Sequence, residues 1–99
     1  MILVTGHVRV RPEDLDRLRP HIRAVLTETR KEKGCLVYAF GEDFLDPGLI
    51  RIVERWEDWP SLEAHGKTPH IDAWRAALKQ ATVLDREVIA HTAAEERVL

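Results

Sequence analysis

The chain is poor in the residues that build special-purpose proteins. It has one cysteine, Cys35, in 99 residues, so no internal disulfide and no cysteine-rich metal site can form. That usage fits a reducing compartment. No apolar run approaches the roughly 20 residues of a membrane-spanning helix. The opening MILVTGHVRV turns polar too soon for a signal peptide, so a cytoplasmic protein with no membrane partner is expected. Neither charge sign dominates: 15 Lys and Arg face 17 Asp and Glu, a net of −2. That balance leaves no electrostatic footprint for nucleic acid. Phosphate-cradling glycine loops, nucleophile elbows and CxxC pairs are all missing.

What is present is an ordinary globular balance, 44% hydrophobic and 32% charged, with room for one domain. Residues 1–92 are expected to form it, with 93–99 as a tail. Ile2 to Val10 alternates in polarity as a strand does. Pro12-Glu13-Asp14 opens a helix expected to reach about Lys33, with Leu15, Leu18, Ile22, Val25 and Leu26 on one stripe. Pro20 lies inside it and should bend it. Gly34 then supplies a left-handed cap. A strand over about Cys35 to Phe44 carries Leu36, Tyr38 and Phe40 at period two, with a bulge expected at Gly41. Asp46-Pro47-Gly48 is a turn, and Leu49 to Glu57 returns antiparallel. Asp58 or Trp59 caps a short helix that Gly66 stops; Thr68-Pro69 starts another. Ala81 to about His91 is the last strand, with a change of parity around Asp85 to Glu87.

The order βαββαβ is that of the ferredoxin-like α+β fold: a four-stranded antiparallel sheet with two helices on one face. The other face is bare and partly apolar. A second copy of the chain is its natural cover, giving a homodimer.

Ile50 to His70 concentrates the chemistry. Glu54 and Trp56 are two apart on a strand, so they share a face with Ile50 and Ile52. The run I-V-E-R-W-E-D-W-P-S-L-E-A-H, followed by T-P-H-I-D-A-W, resembles the antibiotic biosynthesis monooxygenase domain over about Met1 to His91. That resemblance implies a dimeric α+β barrel with a pocket between sheet and helices. In active members the pocket oxidises an electron-rich aromatic with O2, without metal or flavin. The family also holds haem-degrading enzymes, whose first-strand asparagine would fall at Gly6; a residue without a side chain there argues against haem degradation. Some monooxygenase members carry an asparagine where this chain has Ile52, so one hydrogen bond to substrate is lacking.

Trp56 matches the family's pocket-wall tryptophan, although tryptophans also bury simply to pack. His65 matches its helix histidine and would accept the phenolic proton, with Glu54 as its orienter; it could equally be a structural residue paired with Glu54. Phe40 would be a second wall and Ile52 a third. Tyr38, the one tyrosine, could hydrogen-bond a substrate oxygen or pack in the core. His70 lies in a first helical turn, where the dipole disfavours an imidazolium; it could accept a proton or lie on the surface. His65 and His70 are five apart across a helix break. That is not a recognised ligand spacing, so no metal is expected. The function expected is a cofactor-independent monooxygenase acting on a small phenol or quinol, or else a non-catalytic binding or dimerisation module of the same fold.

Overall fold

A computed structural model describes residues 1–99. Strand β1 (Ile2–Val10) leads through a 3₁₀ turn (Pro12–Asp14) into helix α1 (Leu15–Thr29). Strands β2 (Cys35–Glu42) and β3 (Leu49–Trp56) form a hairpin, helices α2 (Trp59–His65) and α3 (Pro69–Lys79) follow, and β4 (Val83–Thr92) closes the sheet. The strand order is β2-β3-β1-β4 and every pairing is antiparallel. This is the ferredoxin-like α+β arrangement. No helix is long and apolar enough to cross a membrane.

Alternation on the two central strands builds the core. Ile2, Val4, Val8 and Val10 of β1 and Ile50, Ile52 and Trp56 of β3 are buried on one face. Leu15, Leu18 and Val25 of α1 and Ile71, Trp74 and Ala77 of α3 pack on them. Burying each such side chain contributes about 1.5–3 kcal/mol, so this face is where the fold gains its stability. Helix α1 continues through Pro20. Asp58 caps α2, its carboxylate accepting from Ser61 N–H at 2.8 Å, and Thr68 Oγ1 caps α3 by accepting from Ile71 N–H at 3.3 Å.

Three expectations need correction. Helix α1 ends at Thr29, four residues before Lys33. From there the chain descends in tight turns, Lys31 N–H to Glu28 C=O, Glu32 N–H to Thr29 C=O and Cys35 N–H to Glu32 C=O, which turn Glu32 inward. Gly34 is left-handed, with φ +84°, and a side chain on it would strike Ser61. The irregularity of β2 lies between Cys35 and Val37, while Gly41 pairs in register with Arg51. That slip leaves Leu36 exposed while Tyr38 faces the core. On β4 the register shift falls opposite Arg9 and Val10, before Asp85. From there Arg86, Val88 and Ala90 lie opposite Val8, Gly6 and Val4, on the helix side. A Cβ on Gly6 would collide with the Glu87 carbonyl and the Val88 backbone, so the close approach of β4 excludes any side chain at that position.

Candidate active site

A cavity of about 520 Å³ lies between the helix side of the sheet and helices α2 and α3. The sheet contributes Val4, Val8, Tyr38, Phe40, Ile52, Glu54, Arg86, Val88 and Ala90. Across from them stand Leu62, His65 and Gly66 at the end of α2 and Ile71, Trp74, Arg75 and Leu78 on α3. Eleven of these 16 residues are hydrophobic, so a flat apolar molecule would be well solvated there, with a few polar groups to orient it.

His65 is the last residue of α2 and is buried. Its position is fixed from both ends: the Thr68 hydroxyl donates to the His65 carbonyl at 2.9 Å while capping α3, and the Arg75 guanidinium donates to the Gly66 carbonyl at 3.1 Å. His65 Nδ1 lies 2.7 Å from Glu32 Oε2, and His70 Nε2 lies 2.8 Å from the same oxygen. A carboxylate only accepts, so both ring nitrogens are the protonated ones. Neutral His65 therefore carries its proton on Nδ1 and a lone pair on Nε2. Nε2 has no hydrogen-bond partner in the protein, and the ring lines the cavity.

Glu54 is buried on β3 and accepts one hydrogen bond, from Trp56 Nε1–H at 2.9 Å. Burial pushes its carboxyl above the ordinary range; the indole N–H and nearby His65 offset this in part. Tyr38 faces it from β2, and burial together with the Glu54 carboxylate pushes the phenol well above its usual value. Tyr38 thus remains a hydrogen-bond donor. The Tyr38 and His65 rings meet edge to face, centroids 5.2 Å apart, and the Trp56 and His65 rings are 4.9 Å apart. Phe40 and Trp74, both lining the cavity, pack against each other with centroids 5.6 Å apart.

The structure gathers His65, Glu54, Tyr38, Phe40 and Ile52 around one cavity. It changes three expectations. The carboxylate that holds His65 is Glu32 rather than Glu54, whose hydrogen bond goes to Trp56. Trp56 is 0% exposed and stands behind His65 instead of walling the cavity, because its indole turns into the core at the end of β3. His70 is half-buried against Glu32 and also stays off the cavity surface. Glu32 is the residue sequence reading missed: it is 33 positions from His65 and sits in a stretch that reads as the cationic end of a helix. Arg75 and Arg86 were missed too, since exposed arginines carry no pattern. Trp74 falls on the apolar stripe of α3 with Ile71 and Ala77, and that periodicity holds no hint of a cavity.

The sequence model described as antibiotic biosynthesis monooxygenase matches residues 1–77. The chain is 33% identical to the probable quinol monooxygenase YgiN of Escherichia coli over 89 residues, covering 80% of this chain and 86% of that one. A 28% identical match to the uncharacterized protein sll1783 of Synechocystis spans 70% of this chain but 47% of that longer one. Among solved structures, a Deinococcus radiodurans protein carrying the same family description superposes with a TM-score of 0.92 at 29% identity, over 100% of this chain and 98% of that one. Rv0793 of Mycobacterium tuberculosis superposes at 0.86 with 27% identity, over 98% of each chain.

Proposed function

The chain belongs to the antibiotic biosynthesis monooxygenase family, and from that premise we propose that it oxidises a small electron-rich aromatic, a phenol or quinol, with O2 and without a cofactor. The observation that carries the reading is the His65 ring. It is buried, held by Glu32 through Nδ1, and its other nitrogen is free at an apolar cavity. The name of the Escherichia coli relative, a probable quinol monooxygenase, points to the same substrate class.

Dioxygen is a triplet and reacts slowly with closed-shell molecules; a phenolate can give it one electron. His65 Nε2 accepts the phenolic proton of a ring lying over Phe40 and Ile52, neighbours on the sheet wall of the cavity. The phenolate passes one electron to O2, and the resulting superoxide joins the phenoxyl radical at a ring carbon that bears hydrogen. Protonated His65 returns its proton to that peroxide. Loss of the C–H proton and of hydroxide then leaves a carbonyl and water. One oxygen atom enters the quinone and the other leaves as water, so no outside reductant is consumed. The Glu54 carboxyl lies beside the substrate, and the apolar walls keep water from the radical pair.

The working unit on this reading is a cytoplasmic homodimer. Val53 and Ile89, opposite the same Thr5, are both more than 40% exposed, and sheet-on-sheet pairing would cover them. The test is oxygen uptake by chelator-treated protein with a panel of quinols and polyphenols. Uptake above autoxidation should fall by about 10²- to 10⁴-fold in His65→Ala, as removal of a general base does. Uptake unchanged in that variant would remove His65 from the mechanism. Saturable binding of the same compounds with no uptake from any of them would instead support the binding-module reading.

A further inference from the structure

Glu32, His65 and His70 form more than an orienting pair. We propose that these three side chains are a binding site for a divalent first-row transition-metal ion of the Zn²⁺ or Fe²⁺ kind, seated behind the His65 ring on the side away from the cavity. His65 Nδ1, His70 Nε2 and a Glu32 carboxylate oxygen all lie within 4.8 Å of one another. An ion bound at about 2.0–2.2 Å to nitrogen and oxygen holds its donors roughly 3–3.5 Å apart. The two Glu–His separations, 2.7 and 2.8 Å, need to open only slightly, while the two rings close toward each other.

The donors come from three segments: the turns after α1, the end of α2 and the first turn of α3. Thr68 ties the last two together, so two ligands share one rigid corner. Two imidazoles and one carboxylate suit zinc or ferrous iron; magnesium and calcium prefer oxygen throughout. Charge favours a cation here. Glu32 and Glu54 both act on Tyr38 and on Cys35, and neither carboxylate has a lysine or arginine within ion-pair distance. The other close histidine–carboxylate pair, His7 and Asp85 at 2.8 Å, offers two donors on the surface and serves as the control.

Of the three ligands only His65 lines the cavity. A metal on Nδ1 leaves the single ring proton on Nε2, so the atom facing the cavity changes from acceptor to donor. If His65 is the base proposed above, the ion switches that base off. This consequence rests on that reading; the site itself does not.

The experiment is a titration of tag-free, chelator-stripped protein with Zn²⁺ by calorimetry and with Co²⁺ by absorption spectroscopy. One ion per chain is expected, with affinity lowered more than about 100-fold, the upper end for an outer-shell change, in Glu32→Gln and His70→Ala, and unchanged in His7→Ala. ¹⁵N NMR of the wild-type protein should show His65 Nε2 unprotonated before Zn²⁺ and protonated after it, a readout that needs no variant to fold. A wild-type isotherm no tighter than those of the two ligand variants, one abolished by His7→Ala, or an Nε2 signal indifferent to Zn²⁺ would overturn the site. Absence of oxygen uptake would count against the proposed activity alone, since neither binding nor NMR involves substrate.

Discussion

Two buried carboxyl groups in this molecule live opposite lives. Asp14, 2% exposed, sits where the 3₁₀ turn meets α1. It accepts from the Arg11 guanidinium at 3.1 and 3.2 Å, from Arg17 at 2.8 Å and from the Thr82 N–H at 3.0 Å. Those partners hold its carboxyl below the ordinary range. Glu54, 7% exposed, has one indole N–H for company, and burial pushes it the other way. Asp14 is a staple: it ties the start of α1 to the start of β4, and its surplus of donors explains it completely. Glu54 is left short of donors beside a cavity, which is where a group meant to meet a ligand is found. Burial alone does not decide which way a carboxyl group is pushed; the donors around it do.

The comparison can be broken at three points. The largest effect is expected where Glu54's one donor is removed. Trp56→Ala also empties a fully buried site and should cost about 3–5 kcal/mol of stability, read from urea unfolding. A loss under about 1 kcal/mol would mean that the indole is not part of the core.

Next comes Asp14→Asn. The folded carboxyl is depressed, so its stabilisation is present above the unfolded pKa and is lost as pH falls through the folded one. The wild-type urea midpoint should therefore drop on acidification below the ordinary carboxyl range. The variant should start lower at pH 7 and show a flatter acid limb. Parallel curves would show that Asp14 contributes nothing through its charge.

The smallest effect, and the sharpest in sign, is Glu54→Gln. The folded carboxyl is raised, so ionising it works against the fold: stability should fall as pH rises from the unfolded toward the folded pKa. Glutamine keeps an acceptor for Trp56 Nε1–H and carries no charge. The variant should be at least as stable as wild type at pH 8, with the advantage vanishing in acid. A variant less stable at pH 8 than at pH 4, relative to wild type, would reverse the assignment.

Local rules were enough for most of the framework. The alternation of β1 and β3 and the cap at Thr68 stand where the residues alone put them, and of the two cap candidates for α2, Asp58 and Trp59, the structure uses Asp58. Glu54 and Trp56, two apart on one strand, are legible as neighbours for the same reason. Elsewhere those rules ran out. Leu36 continues the period-two pattern of β2, yet the slip beside it turns the side chain to solvent. Glu32 meets His65 and His70 only because α1 stops at Thr29 and the chain turns inward. Nothing local to Arg30–Gly34 announces that turn, and no spacing rule links residues 33 and 38 positions apart. The elements, set by nearest neighbours, could be read in advance; the cluster of Glu32, His65 and His70, assembled by the fold, could not.

The most direct test of the proposed activity follows the oxygen atoms. A phenol or quinol that supports uptake is turned over under ¹⁸O₂ in metal-free protein, and the product is examined by mass spectrometry. The account predicts one labelled atom in each quinone formed, the other appearing in water, with product formation suppressed in His65→Ala. Two labelled atoms, none, or full labelling undiminished in His65→Ala would contradict it.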